Sequence, residues 1–209
     1  MATKRKAAPV RKKKPVRKKV KKASERPGIV VILKGSPGVG KTYVSRKLVA
    51  RLPSRKRAVL AIDELLHLDQ RGLSRDKLRL AKFHAAIMSR SFLREGFDLI
   101  IEYTFDVTDD LAFMIDKITH SHAETLHPCR VFVVHLTAPL ETVAKRNAKR
   151  RDGSDPMRPP LLKKLYRACE ATAGKIHGEL VIDTGKLGLH RVLDTIQEQW
   201  ETGGLDDGG

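Results

Sequence analysis

The chain has 209 residues, with 42 Lys and Arg against 24 Asp and Glu, a formal net charge of +18. Its longest aliphatic run, residues 29–33, is far short of the roughly 20 apolar residues that cross a bilayer, and its two cysteines, Cys129 and Cys169, show no CxxC spacing. These features exclude a membrane-spanning protein, a disulfide scaffold and a cysteine zinc site, and no secretory signal is visible, so a cytoplasmic protein is expected.

The charge is concentrated at the start. Residues 1–26 hold 13 basic side chains and one acidic one, Glu25, for a charge of +12; the other 183 residues carry +6. Pro9-Val10-Arg11-Lys12-Lys13 recurs as Pro15-Val16-Arg17-Lys18-Lys19. Like charges without aromatic residues cannot bury enough apolar surface to offset ordering entropy, so a disordered tail is predicted over 1–26. It resembles the Lys/Ala/Pro-rich tails of histone-like proteins. Either it binds nucleic acid without sequence preference, through phosphate neutralisation, or it is a solubilising extension.

From residue 27 short apolar runs alternate with amphipathic stretches. The β-branched run 29–33 reads as a buried parallel strand. Gly35-Ser36-Pro37-Gly38-Val39-Gly40-Lys41-Thr42 follows it, matching G-x-x-x-x-G-K-[ST] at every position, and then a helix over 43–52. Glycines let backbone N–H groups wrap a phosphate, and the positive end of the next helix points at it. Lys41 would reach the β- and γ-phosphates, and the Thr42 hydroxyl would hold Mg²⁺.

A second strand is predicted over 57–62, placing Asp63 directly after it at the carboxyl edge of a parallel sheet, beside the phosphate loop. There Asp63 can take the proton of an attacking hydroxyl; it can equally cap the following helix. Glu64 is expected to be solvated. Leu78, Ala81, Ala85, Met88 and Phe92 form a helical stripe, bordered by His84 as a half-buried structural histidine. The third strand, 98–103, carries Glu102, which could orient a Mg²⁺-bound water or an acceptor hydroxyl or be an ordinary strand-end carboxylate. A fourth strand covers 131–136.

Residues 137–158 form a candidate lid. Pro139 suits a first helical turn, and Arg146, Lys149 and Arg150 would share one face before the breaker-rich segment 152–156. Arg146 and Arg150 are the leading candidates, ahead of Arg151, to neutralise charge on a transferring phosphoryl group. A fifth strand spans 179–182, and Leu189, Leu193, Ile196 and Trp200 mark a last helix. Strands alternating with helices give an α/β fold with a parallel sheet covered on both faces, as one domain over 27–201, with a flexible end at 202–209.

Three classes use such a loop. A guanine-reading N-K-x-D is absent, and Asp69-Gln70-Arg71-Gly72 matches D-x-x-G only by coincidence, outside a strand end. A motor would show a strand ending Asp-Glu. A kinase needs a base and a basic lid, and both have candidates. His120, His122 and His127 lack a fixed carboxylate beside them, so no zinc site is expected there. His67 is a polar candidate for an acceptor pocket.

Together, GSPGVGKT, VLAIDELLHL, DLIIEYTF, VHLTAPLETVAKRNAKR and ELVIDTGKLGLHRVLDTI resemble the small P-loop kinases that include chloramphenicol phosphotransferase, the zeta-toxin kinases and the polynucleotide 5′-kinases. The resemblance covers residues 29–199. It implies a five-stranded sheet in order 2-3-1-4-5, Asp63 as base, Arg146 and Arg150 near the phosphates, and the segment with Thr184 and Lys186 close to adenine. Leu66 departs from the Arg that polynucleotide kinases place three residues after the base, and Glu102 stands where Asp is usual. The implied activity is transfer of the γ-phosphoryl group of ATP, with Mg²⁺, to a hydroxyl of a small molecule. The alternatives are a polynucleotide 5′-hydroxyl kinase and a nucleotide-gated nucleic-acid-binding module. A monomer or a homodimer would fit.

Overall fold

The structure, a computed structural model, describes residues 26–67, 74–120, 128–150 and 156–202. Tail residues 1–25, the Asp69–Gly72 match, His122, His127, Arg151 and residues 203–209 lie outside the described residues.

Strands β1 (Gly28–Lys34), β2 (Arg57–Ala61), β3 (Asp98–Glu102), β4 (Cys129–Thr137) and β5 (Leu180–Asp183) form one sheet in order β2-β3-β1-β4-β5. Every pairing is parallel. Side chains alternate across a strand, so β1 feeds two cores. Ile29, Val31 and Leu33 join one cluster, and Val30 and Ile32 the other. The first cluster packs under helices α1 (Lys41–Leu48), α5 (Leu140–Ala148), α6 (Pro159–Ala171) and α7 (Leu189–Glu201). The second lies under α2 (Ile62–Leu66), α3 (Arg75–Arg94) and α4 (Thr108–Thr119). A strand buried on both faces must be apolar throughout, which is how residues 29–33 read.

Several details differ from the sequence expectation. Strand β2 stops at Ala61, one residue short of the expected end, and Asp63 lies in the first turn of α2, which follows directly. Helix α1 gives way to a single 3₁₀ turn at Val49–Arg51. On α3 the buried face is built from Ala81, Lys82, Ala85, Ala86, Ser89 and Leu93, while Met88 and His84 face solvent. Small residues let this helix approach the sheet closely, which turns the larger Met88 outward. Helix α5 ends at Ala148, so Lys149 and Arg150 do not share a helical face with Arg146. Helices α4 and α6 went unread, although Leu111, Met114 and Ile118 of α4 do make a buried helical stripe. Trp200 is core, as its spacing suggests.

The amino edge of the sheet has its own organiser. Asp98 is fully buried at the start of β3. Its carboxylate accepts the Ile29 N–H at 2.9 Å, the Ser54 N–H at 2.7 Å and two bonds of 2.9 Å from Arg26. Three partners replace the water lost on burying the charge.

Candidate active site

The phosphate loop leaves β1 through Gly35 at φ +139°, where a Cβ would lie 2.2 Å from the Leu136 carbonyl oxygen. Gly40, at φ +104°, turns the chain into α1. Gly35 N–H donates to the Thr104 carbonyl and Tyr103 N–H to the Leu33 carbonyl, so β3 and its exit segment grip the loop's entry. Between these glycines lie Ser36, Pro37, Gly38 and Val39, whose backbone forms a concave turn at the start of a helix. The Ser36 hydroxyl is buried, with no hydrogen-bond partner among the described residues. Lys41 Nζ donates to the Gly35 and Ser36 carbonyls at 2.8 and 3.2 Å. Burial lowers the Lys41 pKa, against the raising influence of Asp63, Cys169 and Glu102. An orphaned hydroxyl, a partly desolvated ammonium and a helix N-terminus converge here, and these residues fit a polyphosphate.

Asp63 opens onto solvent, yet enough protein surrounds its carboxyl that desolvation raises its pKa, with Lys41 and Arg150 opposing. Glu102 is buried, with its pKa also raised by desolvation; Ser45 Oγ donates to its Oε2 at 3.1 Å, and the Thr42 hydroxyl bonds to it as well. Glu102 and Thr42 thus meet at the head of α1. Hard oxygen donors of this kind fit Mg²⁺, which usually takes one or two carboxylate or hydroxyl oxygens plus substrate phosphates and water. Among the described residues no group of three His, Cys, Asp or Glu side chains could hold a metal by itself.

The two lid arginines part company. Arg146 donates through Nη1 to the Val39 carbonyl at 3.2 Å and to Thr184 Oγ1 at 2.9 Å, and through Nη2 to the Thr184 carbonyl at 2.9 Å. Thr184 Oγ1 in turn donates to the Val39 carbonyl at 2.8 Å. Arg146 and Thr184 therefore brace the flank of the loop. Arg150, past the end of α5, lies within electrostatic reach of both Lys41 and Asp63. Lys186 extends into solvent, 3.7 Å from Asp183, away from these groups' hydrogen bonds.

Two sets of residues were not found in the sequence. Behind the loop, fully buried Lys34 donates to the Thr172 carbonyl at 2.8 Å and pairs with Glu179 at 2.8 Å. His135, its cross-strand partner, sits 3.5 Å from Glu179 and 3.6 Å from Glu170. Desolvation pushes the Glu179 pKa up, but the close approach of His135 and Lys34 outweighs it and holds the carboxyl below its ordinary value. On the face of the sheet that holds the second core cluster, buried Lys82 of α3 pairs with Asp110 of α4 and sits 5.4 Å from the Tyr103 ring centroid. Cys169 lies within electrostatic reach of Lys41, and burial pushes its thiol up to about 12, so burial favours the neutral thiol.

A family model described as an AAA domain matches residues 30–163. Solved structures share the fold. A sugar kinase from Janibacter sp. HTCC2649 aligns at TM-score 0.63 and 18% identity over 86% of this chain and 97% of that one. The APS kinase CysC of Mycobacterium tuberculosis, in complex with AMPPNP and APS, aligns at TM-score 0.58 and 18% identity over 84% and 99%. The shikimate kinase of Acinetobacter baumannii, in complex with shikimate, aligns at TM-score 0.58 and 16% identity over 87% and 97%. No curated protein matches the sequence.

Proposed function

The chain belongs to this AAA-domain family and has the fold of the small P-loop kinases, and on that premise we propose that it transfers the γ-phosphoryl group of ATP to a hydroxyl of a small molecule. One observation carries the reading. A carboxylate with a raised pKa, Asp63, stands at the carboxyl edge of the sheet within reach of Lys41, next to a complete phosphate loop.

The loop backbone and Lys41 would hold and orient the triphosphate, and Mg²⁺ bound with Thr42 and Glu102 would supply neutralising charge. Asp63 would take the proton of the acceptor hydroxyl as its oxygen bonds to the γ-phosphorus and the bond to the β-phosphate oxygen breaks. Arg150 would stabilise charge on the equatorial oxygens. Arg146 and Thr184 act one step back, keeping the Val39 carbonyl in place.

The test is label transfer from γ-labelled ATP to a panel of small alcohols and to 5′-hydroxyl oligonucleotides. A labelled small acceptor, lost in Asp63→Asn, supports the reading. Label on the oligonucleotide alone would replace it with a polynucleotide kinase. Slow hydrolysis with no labelled acceptor would leave a nucleotide-gated module.

A further inference from the structure

The acceptor side of the site has a chemistry of its own. Tyr103 leaves β3 beside Asp63, held by its N–H bond to the Leu33 carbonyl at the entrance to the phosphate loop. Only 7% of the residue is exposed. Lys82 lies over its ring at 5.4 Å, and Phe105 meets it at 5.2 Å and 86°. What the residue offers a ligand is therefore its hydroxyl, not an open face for stacking a base. Desolvation, and then the charges of Asp63, Asp106 and Asp110, raise its pKa, so these carboxylates lie within electrostatic reach of the phenol.

The charges nearby are lopsided. Three carboxylates, Asp63, Asp106 and Asp110, act electrostatically on Tyr103, while the buried cation over its ring, Lys82, is already paired with Asp110. Lys41 and Arg150 also act on Asp63, but they come from the phosphate loop and from the end of α5, the side the triphosphate charge would occupy. Among the described residues, an acceptor with a carboxylate or phosphate of its own would meet more carboxylates than cations here, with His67 beside Asp63 and Lys82 already paired. A hydroxyl-rich neutral molecule would find a donor in Tyr103 and acceptors in the Asp side chains, and an ammonium group would gain further.

Resting on the phosphotransferase reading, we propose that Tyr103 and the Lys82–Asp110 pair form the acceptor-recognition surface, selecting a neutral or amino-bearing polyhydroxyl compound over any anionic acceptor. Tyr103 donates to an acceptor oxygen and sets its hydroxyl toward Asp63. Asp106 and Asp110 supply the negative potential that excludes acids and favours amines.

The experiment uses the full chain, Mg²⁺ and γ-labelled ATP with five acceptor types: a neutral hexose or cyclitol series, amino sugars and aminocyclitols, the matching sugar acids, hexose phosphates, and 5′-hydroxyl oligonucleotides. Transfer to the first two types is expected. Tyr103→Phe should then raise the acceptor KM by about 3–10-fold, the scale of one hydrogen bond to a neutral partner, with the KM for ATP unchanged. Asp110→Asn should weaken an amino-bearing acceptor more than its neutral counterpart. Transfer to acids, phosphates or oligonucleotides would overturn the assignment while leaving the kinase reading intact. An unchanged acceptor KM in a folded Tyr103→Phe variant would remove Tyr103 from the surface. No transfer to any of the five types would overturn this inference and the reading beneath it together.

Discussion

The phosphate loop and the acceptor corner sit side by side at one edge of the sheet but are encoded in opposite ways. The loop is eight consecutive residues whose roles follow from backbone shape, so its chemistry is local. The proposed acceptor corner takes Asp63 from α2, Lys82 from α3, Tyr103 from the exit of β3 and Asp110 from α4, and exists only once the sheet and its helices have assembled. Local sites hold what is common to many reactions, here a polyphosphate. Dispersed sites can change one residue at a time and so carry the choice of substrate.

The largest expected effects test whether the two regions work as one. Asp63→Asn should lower kcat by about 10²–10⁴-fold, the scale of a lost general base, while nucleotide affinity in equilibrium binding stays within about twofold. Ionised Asp63 is disfavoured by burial, so removing it should also raise the Tm. A variant that keeps its turnover would dissociate the carboxylate from the chemistry. Lys41→Ala should cost about 10²–10³-fold in kcat, the scale of one electrostatic stabiliser, with an unchanged fold by circular dichroism. The pH profile sharpens the assignment. Because the Asp63 pKa is raised, its base form is gained only above the ordinary Asp value of 3.8, and kcat/KM should climb with pH through that higher pKa. Asp63→Asn should abolish this limb.

Next in size is the support behind the loop. Lys34→Met strands buried Glu179 and should cost about 3–5 kcal/mol in denaturant unfolding, since removing one partner leaves the other charge uncompensated. The Glu179 pKa is depressed, so its contribution is present above its ordinary value of 4.5 and is lost as pH falls through the lower folded pKa. Unfolding at or above neutral pH should show it in full. Arg146→Ala should weaken nucleotide binding by about 3–10-fold, as hydrogen bonds to the loop flank are lost, and leave the acceptor KM alone. An acceptor effect of equal size would erase the distinction between the two regions.

The smallest effect on catalysis should come from deleting residues 1–25, which ought to leave turnover unchanged. If that segment binds nucleic acid, log affinity against log salt should have a slope of about −5 to −6 on duplex DNA, lost on deletion. A slope that survives deletion would move the binding to the domain. Arg26 must be kept, because its bonds to Asp98 belong to the sheet edge.

Legibility followed the same divide. All five strands could be read because each is a short apolar run between turn residues, and the loop could be read residue by residue. The buried group Lys34, His135 and Glu179 could not. A lysine ending an apolar strand looks like a solvated boundary, and its partners lie 101 and 145 positions away. Tyr103 reads as the end of a strand, and Lys82 lies between the apolar positions of its helix with nothing in the sequence to mark it as buried. The end of α5 was misread for a different reason: the basic residues of 146–150 keep helical spacing past the point where the helix stops.

The hub at Asp98 fixes where the basic segment is moored. Arg26 is bound at the amino edge of a parallel sheet, and every residue proposed for chemistry lies at or beyond its carboxyl edge. A seven-residue strand separates those edges by about 20 Å. A polyanion captured next to Arg26 would therefore rest at the domain's back, with the catalytic mouth turned outward. Anchorage and turnover then become separable properties: the same catalyst could be stationed on a nucleic acid or released from it by salt, and its access to a small diffusing acceptor would not change.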